Sequence, residues 1–208
     1  MRIVVLLALL GGCAAPLATH APQPAGVHSV ARTFARPVGS EAVRSAPTLG
    51  SLGAEVHAEA NGARTRAARR ALGWDPYLAT VAQEHSRDMA RRGYFDHVAP
   101  DGQDPQARAR RGGVTCRIAS GPSRIRLGIA ENLYMTTRYA SRWERGRGPH
   151  REVRYDWMTA DQIAEAAVRS WLRSPGHRRN LLDGAARAHG IGVAVGRDHR
   201  VYITQVLC

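Results

Sequence analysis

Residues 171–182 read WLRSPGHRRNLL, and this stretch says more about the fold than any other part of the chain. Ser174 followed by Pro175 is typical of a helix start, since serine caps a helix N-terminus and proline fits its first turn. His177 is then the third residue of the helix, where the positive end of the helix dipole disfavours imidazolium. The stretch therefore predicts a helix, closed by Gly184, that carries a neutral histidine near its N-terminus.

Three further stretches lie at characteristic separations from the first: GYFDH at residues 93–97, AENL at 130–133 and YITQV at 202–206. Together the four resemble the bacterial branch of the CAP superfamily, also called SCP, which unites cysteine-rich secretory proteins, insect antigen 5 and plant pathogenesis-related proteins. The resemblance covers roughly residues 51–208. It implies an α+β fold, a three-layer α-β-α sandwich with a small antiparallel sheet between helices.

The same resemblance implies a site. Many family members line one cleft with two histidines and two glutamates, and some of them bind a divalent metal there. His97, Glu131 and His177 match three of these four positions, whereas Ser174 occupies the position of the second glutamate. Gln205 on the last strand would line the cleft or satisfy backbone groups at the sheet edge.

The chemistry of these residues leaves two interpretations open. Two imidazoles and one carboxylate with an open position resemble the ligand set of a catalytic zinc site. The missing second glutamate disfavours tight binding, so the resemblance implies at most a weakly bound divalent metal such as zinc. The alternative is a polar cleft in which the three side chains hydrogen-bond each other and water.

The sequence leaves three candidate functions. The leading one is a non-enzymatic module, anchored in the cell envelope, that binds a lipid, an envelope ligand or a protein partner. The second is a metal-assisted hydrolase acting on peptide or cell-wall material, with His97 and His177 as ligands and Glu131 as ligand or general base. The third is a structural envelope protein held against anionic surfaces by its arginines. The serine at position 174 favours the first over the second.

The N-terminus predicts export. Residues 3–10 form a run of eight apolar residues, too short to span a bilayer but typical of the hydrophobic region of a signal peptide. Leu10-Gly11-Gly12-Cys13 follows and resembles a lipobox, in which the cysteine is acylated and becomes the new N-terminus. The alternative is an ordinary signal peptide cut near Ala14 or Ala15, which would leave Cys13 behind.

The lipobox interpretation divides the chain into three parts. Residues 1–12 are a lipoprotein signal peptide, residues 13–50 a flexible tether rich in Pro, Ala and Gly, and residues 51–208 the folded domain. The mature protein is then held in the bacterial envelope, on the periplasmic side or in the outer membrane, by lipid on Cys13. An exported protein also favours one disulfide between Cys116 and Cys208, the alternative being two free thiols.

The charge is strongly positive. The formal net charge is +13, and every basic residue counted among the 30 is arginine. An export signal and the lack of aromatic-plus-basic motifs argue against a nucleic-acid partner. The arginines are densest between Arg138 and Arg154, within residues 138–156, which show no clear period and are predicted to be a basic surface insertion. This patch is a candidate for contact with lipopolysaccharide or phospholipid headgroups.

Periodicity and end signals predict the elements of the domain. Apolar residues at helical spacing and capping residues predict five helices, and two apolar runs near the C-terminus predict two strands joined by a hairpin. The helices are expected at about 52–70, at 76–92 between Asp75 and Gly93, at 105–111 between Asp104 and Gly112, after the Thr159–Gln162 capping box, and from Ser174. The strands are expected at 191–195 and 201–207.

The remaining histidines are assigned structural or surface positions. His85 lies on the apolar face of its helix and is predicted to be a packed core histidine with its hydrogen bonds satisfied. Four others, isolated in the sequence, are predicted to face solvent: His57, His150, His189 and His199. Ser174 near His177 is interpreted as a helix cap rather than as a nucleophile.

Overall fold

The computed structural model describes residues 46–121 and 124–208. The predicted signal peptide at 1–12, the predicted lipid site at Cys13 and most of the predicted tether lie outside these residues. Within them, no helix is long and apolar enough to cross a membrane.

Five α-helices form where the sequence supplies end signals. Asp75 Oδ1 accepts hydrogen bonds from the N–H groups of Tyr77 and Leu78, and Gly93 ends the same helix with a left-handed φ of 71°. The Asp104 cap and the Thr159–Gln162 pairing are likewise present. The helices are α1 Leu52–Arg66, α2 Pro76–Arg92, α3 Pro105–Arg111, α4 Ala160–Arg173 and α5 Pro175–Leu181.

Two helices end earlier than predicted. α1 stops at Arg66 rather than near residue 70, because Asn61 and Arg64 fold the following segment back against the helix. The Asn61 side chain bonds both the N–H and the C=O of Leu72, at 2.7 and 3.0 Å, and Arg64 Nε donates to Arg70 O at 2.7 Å. α5 ends at Leu181, three residues before the predicted closure.

The central sheet has four strands in the order β1-β7-β8-β4. The three long strands are antiparallel, as predicted, and the two-residue β1 joins β7 in parallel. β7 and β8 begin three residues and one residue earlier than the apolar runs indicated, and β4 was not predicted as a strand. The bounds are β1 Gly73–Trp74, β4 Ala130–Thr137, β7 Ala188–Val195 and β8 Arg200–Leu207.

Helices cover both faces of this sheet and confirm the three-layer sandwich. On one face α1, α4 and α5 bury a cluster centred on Trp171, which packs against Ile191 and Ile203 of the sheet. On the other face α2 packs through Leu78, Val81 and Ala82. Glycines let α2 approach β7 closely: a Cβ on residue 190 would lie 1.9 Å from Ala79 N.

Two further hairpins lie outside the central sheet, and neither was predicted. β2 Arg117–Gly121 pairs with β3 Arg124–Leu127, and β5 Tyr139–Arg145 pairs with β6 Glu152–Trp157. The second hairpin corrects the interpretation of residues 138–156 as a segment without a regular period. It is a two-stranded antiparallel ribbon with a short 3₁₀ turn at Gly148–His150.

The predicted disulfide is present. Cys116 and Cys208 are bonded, with their Cα atoms 5.5 Å apart and a separation of 92 positions in the sequence. The bond ties the end of the last strand to the segment before β2. In the chain-entropy model a loop of this length corresponds to roughly 4–5 kcal/mol of stabilisation.

Candidate functional site

The three residues matched to the family cleft converge. His97 lies in the loop after α2, Glu131 is the second residue of β4, and His177 is the third residue of α5. His97 Nδ1 lies 2.8 Å from Glu131 Oε1, and the rings of His97 and His177 have centroids 6.0 Å apart. Elements distant in sequence therefore form one small polar cluster.

The members of the cluster differ in exposure. The Glu131 side chain is only 2% exposed, whereas that of His97 is 44% exposed. His177 is half-buried. The imidazoles thus form the accessible part of the cleft, and the carboxylate lies beneath them.

An arginine holds the carboxylate from below. Arg108 Nη2 donates to Glu131 Oε2 at 2.8 Å and to Oε1 at 3.1 Å, and the Arg108 side chain is 4% exposed. Two buried opposite charges are therefore in contact, an arrangement that is costly to disrupt because removing either partner leaves the other unpaired. Arg108 was not predicted as a site residue.

Helix α3 positions this arginine. Asp104 caps the helix through a 2.6 Å bond from Ala107 N, which places Arg108 one turn into it. Arg108 also donates to Gln103 O and to His97 O, both at 2.8 Å. The guanidinium therefore fixes the loop that carries His97 as well as the carboxylate.

His85 adds a further ring behind the carboxylate. It is almost completely buried, Nε2 donates to Asp96 O at 3.1 Å, and the same atom lies 4.0 Å from Glu131 Oε1. Burial lowers the pKa of His85, although the nearby Glu131 charge opposes the shift. The prediction of a packed and satisfied histidine is confirmed, and the residue also borders the site.

The surroundings of the two cleft histidines constrain which hydrogens their rings carry. A carboxylate can only accept, so the hydrogen between His97 and Glu131 is on His97 Nδ1. Burial, reinforced by the neighbouring His97, lowers the pKa of His177 and keeps its ring neutral at pH 7. The cleft therefore offers a ligand the partly exposed ring of His97 and a neutral His177 imidazole.

Ser174 and Gln205 are the other two residues that were assigned to the cleft. Ser174 joins α4 to α5, and its hydroxyl makes no capping bond and, among the described residues, no hydrogen bond to the three cleft residues. Gln205 is fully buried behind the cleft rather than lining it. It also does not lie at a sheet edge, because β8 is flanked by β7 and β4.

The described residues do not fit a divalent metal. Both oxygens of Glu131 accept from Arg108, whose positive charge opposes a second cation at the same place. Across residues 46–121 and 124–208, no three His, Cys, Asp or Glu side chains are grouped as ligands of one ion. The weak zinc site implied by the resemblance therefore has no support in the geometry.

A chain of buried polar groups runs through the sheet beside the cleft. Asn132 Nδ2 donates to Gln205 Oε1 at 2.9 Å, Gln205 Nε2 lies 2.8 Å from His189 Nδ1, and His189 Nε2 lies 2.6 Å from His57 Nδ1. His189 is completely buried, so the prediction that it faces solvent was wrong. Burial, with the nearby His57 charge, lowers its pKa to about 3.

This chain ends at the cleft. Asn132 Nδ2 also lies 3.2 Å from His177 O, and Asn180 Nδ2 donates to Asn132 Oδ1 at 3.0 Å and to Glu131 O at 3.1 Å. Adjacent residues of β4 thus serve two purposes: Glu131 pairs with Arg108, and Asn132 connects the cleft backbone to the buried histidines.

The other two isolated histidines also differ from each other. His150 is exposed, as predicted. His199 is half-buried instead, with its ring 5.3 Å from those of both Tyr155 and Trp157, so the prediction of an isolated surface residue was wrong for it.

Comparison with solved structures agrees with this fold. An outer surface protein from Borrelia burgdorferi is 15% identical to this chain, with a TM-score of 0.53. The match covers 77% of this chain and 94% of the Borrelia protein. An extracellular SCP-domain protein from Bacillus anthracis is 25% identical, with a TM-score of 0.49 and 75% of this chain covered. The present chain spans only 40% of the length of that Bacillus protein.

Sequence comparison identifies the family. A search of curated proteins gives no match. The model of the cysteine-rich secretory protein family, CAP, matches residues 57–207, which include all three cleft residues and most of the described domain. This chain therefore belongs to the cysteine-rich secretory protein (CAP) family.

Proposed function

We propose that this protein is an exported binding module, anchored in the cell envelope, whose cleft takes a ligand that hydrogen-bonds to the imidazoles of His97 and His177. The observation that carries the proposal is the contact of the Arg108 guanidinium with both oxygens of Glu131. A CAP cleft with its carboxylate already paired is suited to recognition rather than to hydrolysis.

The paired carboxylate argues against both catalytic roles considered for it. A general base needs an available lone pair within hydrogen-bond distance of the water that it activates. Glu131 is 2% exposed and accepts from Arg108 and His97, so its oxygens are not directed at the open part of the cleft. To act as a metal ligand, Glu131 would have to give up its contacts with Arg108 and bind a cation beside the same guanidinium.

Export is supported by three observations of different kinds. The N-terminal sequence has the pattern of a lipoprotein signal, and a disulfide joins Cys116 to Cys208, as is usual in oxidising compartments. The Borrelia relative is an outer surface protein, although at 15% identity its likeness concerns the fold. Lipid on Cys13 would retain the protein at a membrane, as more than one acyl chain gives stable anchoring.

A test of the cleft is to recover what it binds. The wild-type protein is purified from membrane extract, and co-purifying lipids, glycans and proteins are identified by mass spectrometry. We expect a ligand that is retained by wild type and lost in His97→Ala, because that change removes the exposed imidazole. His150→Ala is the matched control, since His150 is exposed outside the cleft and its loss should leave the ligand bound.

The same preparation tests the alternative function. Hydrolysis of peptide or cell-wall fragments by the purified protein, abolished both by Glu131→Gln and by a chelator, would establish the metal-assisted hydrolase and refute the binding module.

Anchoring has a separate test. Cys13→Ser should move the protein from the membrane to the soluble fraction and abolish labelling by a fatty-acid analogue. Unchanged partition and unchanged labelling would show that Cys13 is not the anchor.

A further inference from the structure

The β5–β6 ribbon is exposed along most of its length. Its strands pair only with each other within the described chain, and residues 142–152 are all exposed. An exposed two-stranded ribbon contributes little to a hydrophobic core, so its side chains are free to meet a partner.

The base of the ribbon is rigid. Tyr155 and Trp157 stack with centroids 4.6 Å apart, and Tyr139 lies 4.9 Å from Tyr155. His199, in the turn between β7 and β8, packs on this cluster, and Arg138 lies over the Trp157 ring at 5.7 Å. The aromatic base therefore holds the far end of the ribbon away from the core in a defined position.

The ribbon carries excess positive charge. Residues 138–157 hold six arginines and three carboxylates. Glu144 pairs with both Arg142, at 2.7 Å, and Arg151. Among the described residues of the β5–β6 ribbon, three exposed arginines have no carboxylate within ion-pair distance: Arg145, Arg147 and Arg154.

A tryptophan lies among these arginines. Trp143 is 56% exposed and stands directly opposite Arg154 in the β5–β6 register, so the two side chains share a face. Tryptophan is favoured at the boundary between lipid headgroups and acyl chains, and arginine is favoured beside phosphates. A soluble polyanion would satisfy the arginines but would leave the indole exposed to water.

We propose that the β5–β6 ribbon docks on the surface of an anionic phospholipid bilayer, with the unpaired arginines at the headgroup phosphates and Trp143 in the interfacial layer. This contact is independent of the cleft and of any lipid on Cys13. It would orient the domain on the membrane, which a flexible tether alone does not do.

The test is sedimentation with vesicles. The mature chain, residues 13–208, carries Cys13→Ser in every variant so that no acyl group contributes. We expect binding to vesicles containing phosphatidylglycerol, weaker binding at higher salt, and little binding to pure phosphatidylcholine. Arg145→Gln, Arg147→Gln and Arg154→Gln combined should lower the partition coefficient roughly 100-fold, since each arginine near such a surface contributes about fivefold.

Matched controls distinguish the ribbon from general charge. Changing Arg70, Arg110 and Arg173 together to Gln removes the same charge from exposed positions elsewhere and should cost much less. Trp143→Ala should weaken binding, whereas Tyr77→Ala, at an exposed aromatic residue outside the ribbon and the cleft, should not. Equal losses of vesicle binding in the two triple variants would overturn the proposal. It would also be overturned if soluble polyphosphate bound as tightly as vesicles and Trp143→Ala had no effect.

Discussion

Two pairs of histidines in this domain lie in opposite environments. His97 and His177 are both partly exposed, with ring centroids 6.0 Å apart, whereas His57 and His189 are joined at 2.6 Å with His189 completely buried. The partly exposed rings of the open pair are accessible to a ligand. The buried pair satisfies its own hydrogen bonds, so it is suited to structure rather than to recognition.

The two pairs are connected. The chain from His57 through His189, Gln205 and Asn132 ends at the backbone oxygen of His177. Buried polar networks of this kind stabilise one arrangement strongly when every group is paired. The comparison indicates that the buried pair holds the frame of the cleft, while Arg108 and Glu131 supply its floor.

The largest effect is expected beneath the cleft. Arg108→Met leaves the Glu131 carboxylate buried without its counter-charge and should lower the free energy of unfolding by about 3–5 kcal/mol. Urea denaturation measures it. Arg110→Met, on the exposed face of the same helix, is the control and should change stability by less than about 0.5 kcal/mol. A loss below about 1 kcal/mol for Arg108→Met would mean that the pair does not hold the cleft floor.

The buried pair should make stability depend on pH. The pKa of His189 is lowered to about 3 in the folded protein, so between that value and its ordinary pKa of about 6.5 the unfolded chain binds a proton that the folded chain excludes. Stability is therefore retained above about pH 6.5 and lost as the pH falls. This residue should account for about 2 kcal/mol between pH 7 and pH 5.

Denaturation curves at several pH values test this expectation. His189→Gln removes the titrating group and should flatten the profile, although only in part, because the pKa values of His85 and His177 are lowered too. His150→Gln, at an exposed position, should leave the profile unchanged. An unaltered slope in His189→Gln would show that His189 accepts a proton while folded.

The smallest effect on stability is expected at the open pair. His97→Ala removes one hydrogen bond at a partly exposed position and should cost no more than about 1 kcal/mol. Thermal denaturation checks it. If His97→Ala destabilised the domain as much as Arg108→Met, the accessible pair would be structural, and the distinction between the two pairs would fail.

The elements predicted correctly are those with local causes. The Asp75 and Asp104 caps and the Gly93 stop each act within one helical turn, so the ends of α2 and α3 could be read from the sequence. The end of α1 could not, because Asn61 and Arg64 terminate it through bonds to residues brought near by folding.

The β5–β6 ribbon and part of the site could likewise not be predicted from the sequence. A bulge between Tyr139 and Ser141 interrupts the alternation of β5, which hid the hairpin from a period-two pattern. The cleft histidines were found through family motifs, but nothing in a seven-residue helix distinguishes Arg108 from Arg110 and Arg111. His189 was misplaced because its partners, His57 and Gln205, lie on other elements.

The central claim is that Arg108 pairs with the cleft carboxylate, so that a metal does not bind there. A calorimetric titration with zinc tests this claim most directly. Wild type, His97→Ala and Ser174→Glu are titrated at neutral pH. The geometry predicts no stoichiometric binding and equal small heats in all three, because Glu131 stays paired in each. Stoichiometric zinc binding by wild type that His97→Ala abolishes and Ser174→Glu strengthens would contradict the claim and would make the cleft a metal site.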